Sequence, residues 1–251
     1  MVLISLTSSL ATSGTSSDFT TEFDPPIYLD GTGADWEIAL VSAELPKTYY
    51  NISSEFQNNK LYVGNGVNDY TLTIPDGNYS ISSLNDIIQA DHDIGGGHFI
   101  IEPNSASFHV KYAGTDNWYV DFTHDDTFRD IIGANADIYN LSGPTVYYDF
   151  ENKPDVTKSN DHFHIAVDCV DGRYARLSSS KANIIYSFNY SVDSGSAEII
   201  APYQRIYLPM NKVSISSINV KLLNQLGHVV NLNNESMTVN LNIRKRYDRN
   251  E

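Results

Sequence analysis

The sequence predicts an all-β sandwich carrying two short helices. Three observations carry the prediction. Tyr, Ile, Val, Thr and Ser are plentiful while Ala, Leu, Glu and Lys are modest, a balance that favours strands. Short apolar runs of period two recur between Gly, Pro and Asn punctuation, with no sustained strand–helix alternation. At 251 residues the chain is long enough to bury a proper core, and neither an internal repeat nor a linker rich in Pro, Gly or Ser divides it.

Residues 1–35 contain no Lys or Arg and many Ser and Thr, and read as a polar lead-in whose first 20 residues form a flexible arm. Trp36-Glu-Ile-Ala-Leu-Val-Ser-Ala-Glu-Leu-Pro46 then reads as one strand with a single inward–outward rhythm, with Trp36, Ile38 and Leu40 as core residues. Pro46 closes it, having no amide proton for a further ladder bond. Lys60–Val63 and Tyr70–Ile74 flank Gly64-Asn-Gly66 as a hairpin. After the turn Pro75–Ser80, Ile81, Leu84, Ile87 and Ile88 lie at helical spacing, with Ser82 or Ser83 as N-cap and Gly95–Gly97 as the stop.

Phe99–Ile101, Ser107–Tyr112 and Trp118–Phe122 alternate as strands, and Thr127–Ile132 reads as a short helix capped by Gly133. The second half offers strands at Thr145–Phe150, Phe163–Val170, Asn183–Tyr190, Gln204–Pro209, Ser217–Leu223 and Met237–Lys245, about ten in all. Gly172, Gly195, Pro202 and Gly227 separate them.

Charge and cysteine content set the class. The net charge of −15 argues against nucleic-acid binding over the body. Residues 244–251 depart from it, with Arg244, Lys245, Arg246 and Arg249 against two acids; the other 243 residues hold 12 basic and 29 acidic side chains, a net of −17. This basic end reads equally as a contact for an acidic surface or polyanion, and as a solvated tail that guards the last strand against aggregation. No apolar run approaches the roughly 20 residues that span a bilayer. The start Met-Val-Leu-Ile-Ser-Leu lacks the basic n-region of a secretory signal, so an intracellularly made, soluble protein is expected. The single Cys169 excludes an internal disulfide and lies in the apolar run Phe163–Val170, as a buried structural thiol. Five Asn-x-Ser sequons, at Asn51, Asn78, Asn140, Asn189 and Asn234, are read as an accident of an Asn- and Ser-rich chain.

Chemistry-bearing groups are scattered. His162 and His164 share one strand face while Cys169 falls on the other by alternation, which disfavours both a metal site and a Cys–His nucleophile. Asp91-His-Asp93 and His124-Asp-Asp126 read as solvated loop or helix-start acids. Gly95-Gly-Gly-His98 lacks the Lys and the following helix of a phosphate loop. Neither a nucleophile elbow nor a His-Glu-x-x-His helix is present. No catalytic residue, cofactor or metal is expected, and the chain is not read as an enzyme. Seventeen Tyr and two Trp leave an alternative, a lectin-like module binding carbohydrate or calcium. Trp36 and Trp118 both lie in apolar strands, which suits core or interface better than an exposed platform.

Several segments, taken in order, resemble the penton (minor capsid) proteins of virophages and Polinton/Maverick-type viruses. Phe19-Thr-Thr-Glu-Phe23, Ile27-Tyr-Leu29 and Trp36–Leu40 are similar to that family's phenylalanine-containing arm, Ile-x-Leu and Trp-Glu-Val-Ala-Leu strand. Tyr70–Tyr79 with the Leu84–Ile88 helix, Asp126–Gly133, and Phe163–Cys169 follow its later segments. Ile215–Lys221, Gly227–Val230 and Val239–Lys245 resemble its closing hairpin. Ile132, Ala134 and Val220 depart from its pattern.

The resemblance implies a single jelly roll over 21–243 and an inserted subregion over about 50–135. It implies homopentamers at the fivefold vertices of an icosahedral capsid, contacts with major capsid protein capsomers, and a virion protein made in the host cytoplasm. Phe19, Phe23, Arg244, Lys245, Arg246 and Arg249 become assembly candidates. The arm, residues 1–20, is expected to clamp a neighbour and to be removable without loss of the sandwich.

Overall fold

The computed structural model describes residues 1–32, 35–157, 162–171, 174–177 and 180–246, with 174–177 and 180–182 given as backbone only. In chain order the strands are β1 (Val2–Thr7), β2 (Ser13–Gly14), β3 (Asp18–Tyr28) and β4 (Trp36–Pro46). There follow β5 (Lys60–Gly64), β6 (Asp69–Thr73), helix α1 (Ile81–Ala90), β7 (Phe99–Asn104), β8 (His109–Gly114), β9 (Tyr119–Asp121), α2 (Arg129–Ile132), β10 (Ile138–Asn140) and β11 (Gly143–Asp149). The chain continues through β12 (Phe163–Val167), β13 (Tyr174–Leu177), β14 (Ser180–Phe188), β15 (Ala197–Ile200), β16 (Leu208–Pro209), β17 (Ser214–Asn224) and β18 (Thr238–Lys245). Two compact units divide these elements, one of Met1–Tyr49 with Ser159–Glu251, the other of Tyr50–Lys158. In chain order the second is the inner unit, which runs beyond the 135 expected, and the first is the outer. No helix among the described residues is long and apolar enough to cross a membrane.

In the outer unit, eight strands form the framework of two sheets ordered β1-β18-β4-β15 and β14-β12-β17-β3, all antiparallel, with β16 beside β4 and with β13 and β2 at the two ends of the second sheet. Numbered one to eight along the chain, the sheets take strands 1-8-3-6 and 5-4-7-2. This is the double Greek key of a jelly roll. The second unit leaves the chain between the third and fourth of these strands. Ile38, Leu45 and Leu241 of one sheet and Phe19, Ile165 and Val220 of the other join in one buried core.

The structure corrects the reading of the N-terminus. Residues 2–7 are a strand paired in register with β18, Val2 opposite Ile243 and Leu6 opposite Val239, and residues 18–28 pair with β17. Ile4 and Leu6 enter the core, so a segment expected to be a flexible arm is a structural strand. β4 also departs from a single rhythm. Ile38 and Leu40 face inward, and then Ala43 and Leu45 do. The pairing with β18 slips by one residue between Leu40 and Ser42, a bulge that resets alternation so both halves stay buried.

The inner unit holds a four-stranded sheet, β10-β9-β5-β6, and a three-stranded sheet, β11-β8-β7, around its own core. Phe122 sits at the centre, edge-on to Phe99, Phe128, Tyr139 and Phe150. Ile81, Leu84 and Ile88 bury the inner stripe of α1. The N-cap is Ser80, two or three residues earlier than expected: its Oγ accepts from the Ser83 amide while Ser83 Oγ accepts from the Ser80 amide. Asn85 and Gln89, one turn apart, bond the Ile101 amide (3.0 Å) and the Phe99 carbonyl (2.6 Å), closing the edge of β7 that would otherwise offer unpaired backbone. Gly133 ends α2 at φ 81°, and a Cβ there would meet the Asn152 carbonyl oxygen at 2.2 Å.

Asn51 ties the turn before α1 to the end of this unit. Its Nδ2 donates to the Tyr79 and Val156 carbonyls (2.7 Å each), and its Oδ1 accepts from the Tyr79 amide (2.8 Å), all without solvent exposure. A sequon asparagine so buried is closed to glycan attachment in the folded chain. Asn51→Leu leaves three backbone groups without their partner, and unsatisfied buried groups cost roughly 1–3 kcal/mol each. Chemical denaturation is expected to show a loss of at least about 2 kcal/mol; an unchanged midpoint and slope would overturn this role.

Candidate assembly surface and ligand groove

The expected assembly residues scatter. Phe19 is fully buried opposite Val220 and belongs to the core, a correction to its reading as an arm contact. Phe23 is half-buried against that core. Trp36 is buried with its indole Nε1 donating to the Asp30 carbonyl (2.7 Å), and Ile38 and Leu40 line the core beside it. Arg244 and Lys245 are the last residues of β18 rather than a free tail. Arg244 Nε meets Glu37 at 2.6 Å and its guanidinium lies 3.4 Å from the Tyr207 ring centroid; Lys245 meets Asp30 at 3.0 Å. The Lys245 hydrogen bond holds the Asp30 carboxyl below its ordinary range. Arg246 is exposed, its amide bonded to the Asp35 carbonyl, and Arg249 lies outside the described residues.

The scattered chemical groups are tied into local structure. His162 and His164 pack ring edge to face at 4.9 Å and bond Asn189 and Ser187. Cys169 lies past the end of β12, in a turn rather than on a strand face; it is buried, and burial pushes its thiol up to about 12. A thiol so raised is a poor nucleophile at neutral pH. Among the described residues no three His, Cys, Asp or Glu side chains gather as a metal site. Asp91 Oδ1 accepts from the Asp93 and Ile94 amides, shaping the turn after α1.

One groove of the inner unit collects aromatic rings and carboxylates: Tyr62, Tyr70, Tyr119 and His124 with Asp69 and Asp121. Tyr119 and Asp69, from strands on either side of β5, reach over Gly64 and bond at 2.5 Å. A Cβ on Gly64 would lie 2.5 Å from both, so the missing side chain is what permits this clasp. That bond raises the Tyr119 hydroxyl above its ordinary value. Tyr62 stacks on His124 (4.1 Å), and Trp118 stacks on His98 (4.1 Å) and Tyr70 (5.7 Å). Much ring surface is thus already engaged within the unit.

Beside the groove, Lys60 Nζ bonds Asp126 at 2.8 Å and holds its carboxyl below the ordinary value of 3.8. A depressed folded-state value means that the pair's stabilisation is complete above that ordinary value and disappears as pH falls through the lowered one. The pair is part-exposed, so the contribution is under about 1 kcal/mol. Asp126→Asn is expected to lower stability slightly at pH 7 and to converge with the parent protein near pH 2, followed by urea midpoints. A constant gap across that range would refute the assignment.

The outer faces of the jelly-roll sheets differ in a way that single segments did not reveal. On the β1-β18-β4 face, cross-strand rows run Leu3–Asn242–Ala39, Ser5–Asn240–Ser42 and Thr7–Thr238–Glu44, the first of them buried at Asn242 and Ala39. Thr7 bonds Thr238 (3.2 Å), Asn240 bonds Ser42 (3.0 Å), and Tyr207 donates to Asn242 (2.8 Å). Charge appears only at the ends, at Glu44 and in the Glu37–Arg244 pair. The opposite sheet instead carries Lys221–Asp18 (2.8 Å) on its outer face and Lys212–Asp168 (2.8 Å) at the end of β12. The signal was present in Thr238-Val-Asn-Leu-Asn-Ile243, where uncharged polar residues alternate with aliphatic ones. It becomes a face only once β1 and β4 are known to flank it.

No family model matches the chain, and no curated protein matches it. Among solved structures, the chain is similar to the mavirus penton protein in its selenomethionine-labelled crystal form, with 11% identity, a TM-score of 0.46, and coverage of 97% of this chain and 99% of that one. The strand order defines the class to which this chain belongs: all-β proteins built on one jelly roll. Here a second compact unit is inserted between two of its strands.

Proposed function

We propose that this chain is a structural capsid protein of penton type, forming homopentamers at the fivefold vertices of an icosahedral shell beside major capsid protein capsomers. It is made in the host cytoplasm and resides in the virion. The observation that carries the proposal is the 1-8-3-6 and 5-4-7-2 strand order with a unit inserted at one connection. It is supported by the in-order resemblance of segments from Phe19 to Lys245. A fold by itself does not assign a function, so the reading stands or falls on assembly. Size-exclusion chromatography with light scattering is expected to give five copies per particle, or a monomer that joins shells only when a capsid protein is co-expressed. A monomer that fails to co-assemble overturns it.

A second reading rests on the Tyr62–Tyr119–His124 groove, whose rings and carboxylates suit a sugar: aromatic faces for C–H contacts, Asp69 and Asp121 as hydroxyl acceptors. Saccharide-dependent chemical shifts confined to this groove in a monomeric protein would favour it.

A further inference from the structure

We infer that the outer face of the β1-β18-β4 sheet is the surface through which a second copy of this chain docks. The inference rests on the assembly reading above and adds the place of contact. Each copy carries a net charge of −15, and like charges brought face to face without compensation cost several kcal/mol. Self-association of so acidic a chain is therefore favoured at a surface that presents few carboxylates.

The face just described is such a surface. Asn242 and Ala39 are buried, so the open part of its rows lies between them and Glu44 and holds Leu3, Ser5, Thr7, Ser42, Thr238 and Asn240 only. Asn240 and Ser42 are already hydrogen-bonded to each other, as are Thr7 and Thr238, so docking strips little water from unsatisfied groups. Depletion of charge is the compositional mark of an interface centre. Three strands at about 4.8 Å spacing and three residues at about 3.4 Å give an open patch of roughly 150 Å². That is a centre, since a stable interface buries about 800 Å² per partner.

Apolar side chains extend it on both flanks. Leu3 is 69% exposed on the β1 edge, and Ile199, opposite Glu44 on the β15 edge, is 73% exposed. The two flanks differ, as a head-to-tail contact that closes into a ring requires. The opposite sheet, with its Lys221–Asp18 pair, lacks this character.

The test places one carboxylate on each sheet of the full-length chain. Ser5→Asp and Leu3→Asp charge the proposed face at exposed positions, and Ser216→Asp charges an exposed position of β17 on the other sheet. Light scattering across a dilution series reads dissociation, and thermal unfolding checks that each variant folds. Ser5→Asp and Leu3→Asp are expected to raise the concentration for half-dissociation at least tenfold with an unchanged melting temperature, whereas Ser216→Asp leaves it in place. Added salt is expected to strengthen the parent assembly by screening the acidic bodies.

Parent-like assembly of both face variants, or equal loss in Ser216→Asp, overturns the inference and leaves the capsid reading standing. A parent chain that is monomeric at every concentration also overturns it. The capsid reading then fails only if that monomer does not enter shells. If the two face variants do not fold, Asn240→Asp, nearly isosteric with the parent residue, puts the same charge on the same rows.

Discussion

Removing residues 1–10 is expected to abolish folding of the jelly-roll unit. The deletion takes away β1, with Ile4 and Leu6 from the core, and bares the backbone edge of β18 along six residues. Truncating a buried Ile or Leu to Ala costs about 2–5 kcal/mol. Two such losses together with a whole ladder reach the 5–15 kcal/mol that holds a typical domain. The truncated protein should lose its cooperative transition and precipitate, with Leu6→Ala alone lowering stability by about 2–5 kcal/mol. A soluble truncation melting like the parent would return residues 1–10 to the role of a dispensable arm.

Phe122→Ala is the second large effect, and it falls on the inner unit. Phe122 is fully buried and touches four other rings edge-on, so its loss leaves a cavity that neighbours from β7, β10, the start of α2 and the end of β11 cannot jointly fill. Phe→Ala in such a setting costs about 3–5 kcal/mol, with up to about 1 kcal/mol more for the ring contacts. The two tryptophans make the experiment specific, because Trp118 belongs to the inner unit's core and Trp36 to the jelly roll's. In a Trp36→Phe background, the Trp118 emission transition is expected to move to markedly lower denaturant. In a Trp118→Phe background, a parent-like Trp36 transition would show that the two cores unfold independently. An unmoved Trp118 transition would refute the central role of Phe122.

Local periodicity made the inner unit largely legible. Ile81, Leu84 and Ile88 sit at helical spacing, and Gly64-Asn-Gly66 marks the reversal between β5 and β6. What the pattern missed has identifiable causes. In Val2-Leu-Ile-Ser-Leu6 the outward Leu3 breaks the alternation that would announce an edge strand. In β3, Glu22, Asp24, Pro25 and Pro26 dilute a strand whose fully buried side chain is Phe19. At Ser80 the cap is a pair of serines three apart, and the Ser82-Ser83 pair beside them offers the same residue type two or three residues late. The β1-β18-β4 face was invisible for a different reason: its rows join residues some 200 positions apart, such as Asn240 and Ser42. Side-chain pattern fixes which face of a strand turns inward, but says nothing of which strands will lie beside it.

That long-range pairing has a consequence for synthesis. Strands β1 and β4 both take β18 as neighbour, and β3 takes β17, so the first three long strands wait for the last two. The inner unit, complete by Lys158, holds all its strand partners while the chain is still growing. At about 5–20 residues per second, Ile4 and Phe19 stay without their sheet partners for on the order of 10–50 seconds after leaving the ribosome. In the last part of that interval, once Lys158 has emerged, a ribosome-bound nascent chain consists of one finished module tethered behind an open, aggregation-prone segment. Neighbouring open segments on one polysome then expose unpaired strand edges to each other, the condition that favours misassembly.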